Sequence, residues 1–233
     1  MKLFLFILSA VTALFIQGCG GSSDNDSKVP TSQTARYTLD FDSDWDAANF
    51  PTNYPTNRHF SGLIGLTHNA QVKLFEVGQT ASAGVISVAE TGSKTTLESE
   101  IGIIQNNGNS GHTISGNGIP ATDDDVEVQF DISQDYPLVS VITMLAPSPD
   151  WFTGVDSVAL FKDGKWQNEV EVQLWVYDAG SDSGIDFTAP DFPISPPNPI
   201  YLLTTLRVDT DFQDGVQYQT KQHIGTFKFE RVD

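Results

Sequence analysis

At 233 residues, with 12 lysines and arginines against 30 aspartates and glutamates, the chain carries a formal charge of −18. Such a surface repels phosphate backbones and anionic lipid headgroups, so nucleic-acid binding is excluded and any membrane link cannot be a basic patch. The single cysteine excludes an internal disulfide, so the fold must stand on its apolar core, for which about 200 residues are ample.

Met1-Lys2 opens the chain, and Leu3 to Ile16 follows as a run free of charge. About 14 residues are too few to cross a ~30 Å hydrocarbon core as a helix, which takes roughly 20. The basic start and the length fit a secretory signal instead. The run ends in Ile16-Gln17-Gly18-Cys19, which resembles the bacterial lipobox, with a small residue ahead of the cysteine that is acylated. Residues 1–18 are therefore read as a lipoprotein signal peptide and Cys19 as the lipidation site. At about 0.8 kcal/mol per buried CH₂, two or more acyl chains anchor a protein without a transmembrane helix. Gly20 follows the cysteine in place of Asp, which points to the outer membrane or cell surface. The rest of residues 19–34 is polar and reads as a flexible tether.

From Ala35 to the end at Asp233 the apolar pattern changes to period two, and one domain is the simplest count. Tyr37, Leu39 and Phe41 alternate with polar residues, as do Val126, Val128, Phe130 and Ile132, then Val170, Val172, Leu174 and Val176, and finally Phe227 and Phe229. Val139 to Leu145 is a more continuous apolar run, which predicts a strand buried on both faces. No stretch of about 12 residues shows a helical stripe. About eight or nine short strands separated by Gly, Asn, Asp and Pro indicate an all-β sandwich.

The common catalytic signatures G-x-S-x-G, H-E-x-x-H and G-x-x-x-x-G-K-[ST] are absent from the sequence. His59, His68, His112 and His223 lack metal-ligand spacing and read as packing or surface residues. A glycosidase-like pair of carboxylates remains open, but with 30 acids on the chain the presence of pairs says little.

Three acidic clusters invite a calcium reading. Asp42-Ser43-Asp44-Trp45-Asp46 starts like an EF-hand loop, yet Ala47 stands where the loop needs Gly and Asn53 where it needs Glu. Asp123-Asp124-Asp125 reads as a polar loop before a strand. The third is stronger: Pro147–Phe152 follows one strand and Tyr177–Gly184 another, so Asp150, Asp178 and Asp182 sit on loops at strand ends, with Gly180 permitting a tight backbone.

These last two blocks, Pro-Ser-Pro-Asp-Trp-Phe-x-Gly from Pro147 and Asp-Ala-Gly-x-Asp-Ser-Gly from Asp178, resemble the spondin domain. Further matching pieces run in order through Tyr37–Trp45, Pro55–Ser61, Ala81–Val85 and Leu97–Ile101, so the resemblance covers about residues 35–205. It implies a C2-like antiparallel β-sandwich in which Asp150, Asp178 and Asp182 hold calcium. It also implies a non-enzymatic role in extracellular adhesion or matrix attachment, with a protein or glycan partner. Phe161 stands where animal members carry a cysteine, and the stretch after Thr205 is unlike them. The alternatives are a carbohydrate-active hydrolase using paired acids and a structural lipoprotein of the envelope.

Overall fold

A computed structural model describes residues 33–51, 53–203 and 223–233 of the chain. Cys19, the signal and most of the tether lie outside the described residues. Strand β1 (Thr34–Ser43) opens the domain, followed by β2 (His59–Phe60) and β3 (Ile64–His68). Two helices come next, α1 (Ala83–Thr91) and α2 (Thr95–Asn106). Strands β4 (Ser110–Ser115), β5 (Asp125–Ser133), β6 (Leu138–Ala146) and β7 (Trp151–Ala159) follow. A small hairpin of β8 (Phe161–Lys162) and β9 (Lys165–Trp166) leads to β10 (Glu169–Leu174) and β11 (Val176–Asp178). The last elements are β12 (Tyr201–Leu202) and β13 (Gly225–Arg231).

The strands form a four-stranded sheet, ordered β10-β13-β1-β5, and a larger one, ordered β12-β11-β7-β6-β3-β4 with β2 paired to β6. Every pairing between them is antiparallel. The period-two residues do what their spacing predicts. Tyr37, Leu39, Phe41, Phe130, Ile132, Leu174, Phe227 and Phe229 point inward from the smaller sheet and meet Val139, Val141 and Leu145 of β6.

The apolar run at β6 is buried on both faces because a second layer covers the larger sheet. Ile64, Leu66, Ile142 and Phe152 on its far face pack with Val85, Val88 and Ala89 of α1 and Leu97 and Ile101 of α2. These two helices correct the expectation that no helical stripe exists. Their apolar positions do follow the helical period, at Val85, Val88 and Ala89 and at Leu97 and Ile101, but within nine and twelve residues. Local chemistry delimits α1: Ser82 Oγ accepts the Val85 N–H at 3.2 Å, and Gly92 ends the helix in the left-handed conformation. The sandwich is therefore three-layered on one side, with more but shorter strands than the sequence pattern suggested.

Strand β1 fixes the poles of the domain. At its start, the Tyr37 hydroxyl donates to the Gln167 carbonyl, beside the β8–β9 hairpin. Trp45 follows eight residues later, and at about 3.3 Å each the chain has by then travelled roughly 26 Å. There Trp45 stacks on Phe187, which also meets Trp151 edge-on, both at 5.4 Å between ring centroids. The Pro147–Asp150 and Asp178–Gly184 loops lie at this second pole, opposite the point where the chain enters at Thr34.

Candidate metal centre

The loop before β7 is closed by Ser148, whose Oγ accepts the Trp151 N–H at 3.1 Å and donates to the Leu145 carbonyl at 2.5 Å. This turn delivers Asp150 into the interior, where it is 0% exposed. Asp178 ends β11 opposite Trp151, the residue after Asp150, and its charge acts on the Asp150 carboxyl. It is 1% exposed.

Two Asp-x-Gly turns build the facing loop. Asp178 Oδ1 accepts the Gly180 N–H at 2.8 Å, and Asp182 Oδ1 accepts the Gly184 N–H at 2.6 Å. Gly180 sits at φ +78°, and a Cβ there would lie 2.2 Å from the Asn198 carbonyl oxygen. The turn presents a row of donors to Asp150: its Oδ2 accepts the Ser181 N–H at 2.7 Å, the Asp182 N–H at 3.0 Å and the Ser181 hydroxyl at 3.2 Å. The Tyr201 hydroxyl donates to Asp178 Oδ2 at 2.6 Å.

One oxygen is left over. Asp150 Oδ1 is buried and has no hydrogen-bond partner. Burial pushes the Asp150 carboxyl up to about 7, the neighbouring Asp178 charge adds to the rise, and the N–H groups of Asp182 and Ser181 oppose it. An orphaned carboxylate oxygen in the interior costs about 1–3 kcal/mol or more. A cation of hard-oxygen preference beside it would remove both that cost and the repulsion from Asp178. On this observation Asp150 and Asp178 fit calcium.

Asp182 is less closely joined to them. It is 2% exposed, and its second oxygen accepts the Phe192 N–H at 2.6 Å, so both oxygens serve the loop's own backbone. It reaches Asp150 through its N–H, and a cation could use only its remaining lone pairs. Among the described residues no group of three or more His, Cys, Asp or Glu side chains stands ready-made around one point. Backbone carbonyls and water would have to complete a shell of six to eight oxygens.

A carboxyl with a raised pKa beside a second carboxylate also suits acid–base hydrolysis. Here both groups are buried away from the surface on which a glycan chain would lie.

The remaining sequence candidates fall into place. Trp151 is fully buried against Phe187 as a core anchor under the loops. Asp46 Oδ1 accepts the Ala48 and Asn49 N–H groups at 2.7 and 2.8 Å and closes a turn. Asp124 pairs with Arg58, a buried side chain that the sequence reading passed over within the Pro55–Ser61 block. His68 is fully buried, with Nε2 2.7 Å from Ser140 Oγ. Sequence reasoning also missed the roles of Tyr201, set opposite Asp178 only by the register of β11 and β12, and of Ser181, which lies between the two Asp-x-Gly turns.

The sequence pattern of the Spondin_N family matches residues 35–224, beyond the span of about 35–205 that the motifs alone cover. Spondin-2 of Rattus norvegicus is 30% identical over 207 residues, covering 87% of this chain and 61% of that protein. Spondin-2 of Homo sapiens is 31% identical over 175 residues, covering 73% and 53%. Spondin-1 of Xenopus laevis is 35% identical over 188 residues, covering 74% and 22%. The chain thus spans less than two thirds of the length of these relatives. With the antiparallel sandwich and the two acidic loops in place, the match across nearly the whole described domain shows that the chain belongs to the Spondin_N family.

Proposed function

We propose that this spondin-type module is an exported, non-catalytic binding protein that takes up calcium at its loop pole and attaches to an extracellular protein or glycan. The observation that carries the reading is Asp150 Oδ1, a buried carboxylate oxygen with no partner, set beside Asp178. Asp150 and Asp178 supply the first two ligands and Asp182 the third, with carbonyls and water completing the shell. When bound, the ion supplies positive charge that neutralises the converging carboxylates and ties the two loops together. The chain's own residues do the rest: Ser148 and Ser181 set the position of Asp150, and Tyr201 sets that of Asp178.

Lipid attachment at Cys19 holds the protein at the bacterial envelope, at the outer membrane or cell surface. The chain enters the domain at the opposite pole, which leaves the calcium loops free to meet a partner. Passing the protein over immobilised matrix proteins and glycans, with and without EDTA, tests the role. Calcium-dependent retention supports it; release of a cleaved product from any glycan would instead establish a hydrolase.

A further inference from the structure

On the loop that follows Asp182 a cleft of about 470 Å³ opens between the Tyr54–Asn57 turn and the Asp186–Thr188 turn. Small-molecule sites commonly occupy roughly 300–1,000 Å³. Both walls are tied to the interior. On one side, buried Arg58 donates from Nε to the Tyr54 hydroxyl at 3.0 Å and from Nη1 to the Asp123 carbonyl at 2.9 Å, while its own N–H bonds the Pro55 carbonyl at 3.2 Å. On the other, Phe187 is held between Trp45 and Trp151, and Asp186 Oδ1 accepts the Thr188 N–H at 3.1 Å. The cleft is a feature of the framework and not a gap between loose loops.

Its lining has a particular chemistry. Among the described residues, no hydrogen bond within the chain engages the side chains of Thr56, Asn57 or Thr188, all of which are exposed. Together they offer one amide and two hydroxyls, groups that donate and accept, and Asp186 adds a carboxylate. The half-buried ring of Tyr54 supplies an apolar face, and buried Phe187 closes the floor beneath it. Among the described residues no lysine or arginine lines the cleft, and Asp186 makes its charge unfavourable to an anion. A ligand that answers this mixture carries many hydroxyls, no negative charge and flat C–H faces.

We propose that this cleft is a binding subsite for a short neutral saccharide. The inference rests on the reading of the domain as a ligand-binding module and names the class of ligand. The wall from Asp186 to Thr188 belongs to the same loop as Asp182, so calcium at Asp182 stiffens it and raises the affinity of the cleft without touching the sugar.

The test is a heteronuclear NMR titration of the mature chain with glucose, galactose, mannose, N-acetylglucosamine and their disaccharides, using glucuronate as the anionic control. Each titration is run in millimolar calcium and in EDTA. At least one neutral sugar should give saturable shifts at the amides of Tyr54, Asn57 and Thr188. Asn57→Ala and Thr56→Ala, both at exposed positions, should each weaken that binding about three- to tenfold while leaving the melting temperature unchanged. Saturation in EDTA with no effect of calcium on melting leaves the cleft standing and removes the calcium reading. A calcium-induced rise in melting with no sugar response removes the cleft alone. Shifts that map elsewhere, or tighter binding of glucuronate, overturn the proposal.

Discussion

Asp150 combines two features that pull in opposite directions: three donors on one oxygen and none on the other. Replacing it with Asn keeps an oxygen for the Ser181 and Asp182 groups and puts an uncharged amide toward Asp178. Asp150→Asn should therefore raise the melting temperature in EDTA and abolish any further rise on adding calcium. Asp178→Asn should also abolish the calcium response. Asp182→Asn should do so as well, but with a lower starting stability, because its carboxylate closes a turn and holds the Phe192 N–H. Asp124→Asn loosens the pairing with Arg58 and leaves the calcium response intact. Thermal melts of the four variants with and without calcium separate these outcomes. Trp151→Ala, which empties a fully buried site, should cost about 3–5 kcal/mol in denaturant unfolding. Sequence placed Asp150, Asp178 and Asp182 on neighbouring loops because their strands were legible. It did not reveal that Asp182 turns its oxygens to its own backbone, since Asp-x-Gly spacing looks the same for a turn and for a ligand.

The strands were readable because each had one clean periodicity, and even the doubly buried β6 announced itself by its unbroken apolar run. The helices were not, because α1 is nine residues long and α2 twelve, and each presents only a short apolar face. Their stability comes from packing on the larger sheet, α1 over β6 and β7 and α2 over β3 and β4, and from shared polar contacts. Ser82 Oγ accepts the Val85 N–H and donates to Glu100 Oε2 at 2.6 Å, and Glu100 Oε1 accepts the Gly84 N–H at 2.8 Å. One serine thus caps α1 and ties it to α2. Ser82→Ala should cost about 1 kcal/mol by chemical denaturation, the usual loss for an N-cap hydroxyl. An unchanged midpoint would show that the cap contributes nothing to the pairing of the helices.

At the scale of the whole molecule, the outer face of the four-stranded sheet brings several acids together. Strand register sets Asp40 beside Lys228 and Glu127, and Asp42 beside Asp125. Burial pushes the Asp40 carboxyl up to about 6, and Asp42, Glu127 and Asp125 add to the rise against the pull of Lys228. The folded state thus holds this proton more tightly than the unfolded chain. That favours folding at low pH, and the contribution is lost as pH climbs from about 4 to about 6. Asp40→Asn should flatten the fall in melting temperature over that interval and raise stability at neutral pH, with a smaller difference in high salt. Identical slopes for wild type and variant would assign the pH dependence elsewhere. Cysteine usage makes a separate expectation: the mature protein begins at an acylated Cys19 and partitions with membranes, whereas Cys19→Ser is released or unprocessed. Mass spectrometry of the membrane fraction decides this, and a free thiol at Cys19 would contradict it.

Calcium at the loop pole is the claim on which the functional reading turns, and isothermal titration of the wild-type protein with calcium addresses it most directly. Extracellular modules bind with dissociation constants on the order of 10⁻⁴–10⁻³ M. A ligand that binds only the folded state stabilises it by about 2.7 kcal/mol at a hundredfold excess over Kd. The expected result is one saturable site in that range, lost in Asp150→Asn and accompanied by a rise in melting temperature. No heat of binding and no thermal shift at millimolar calcium would contradict it.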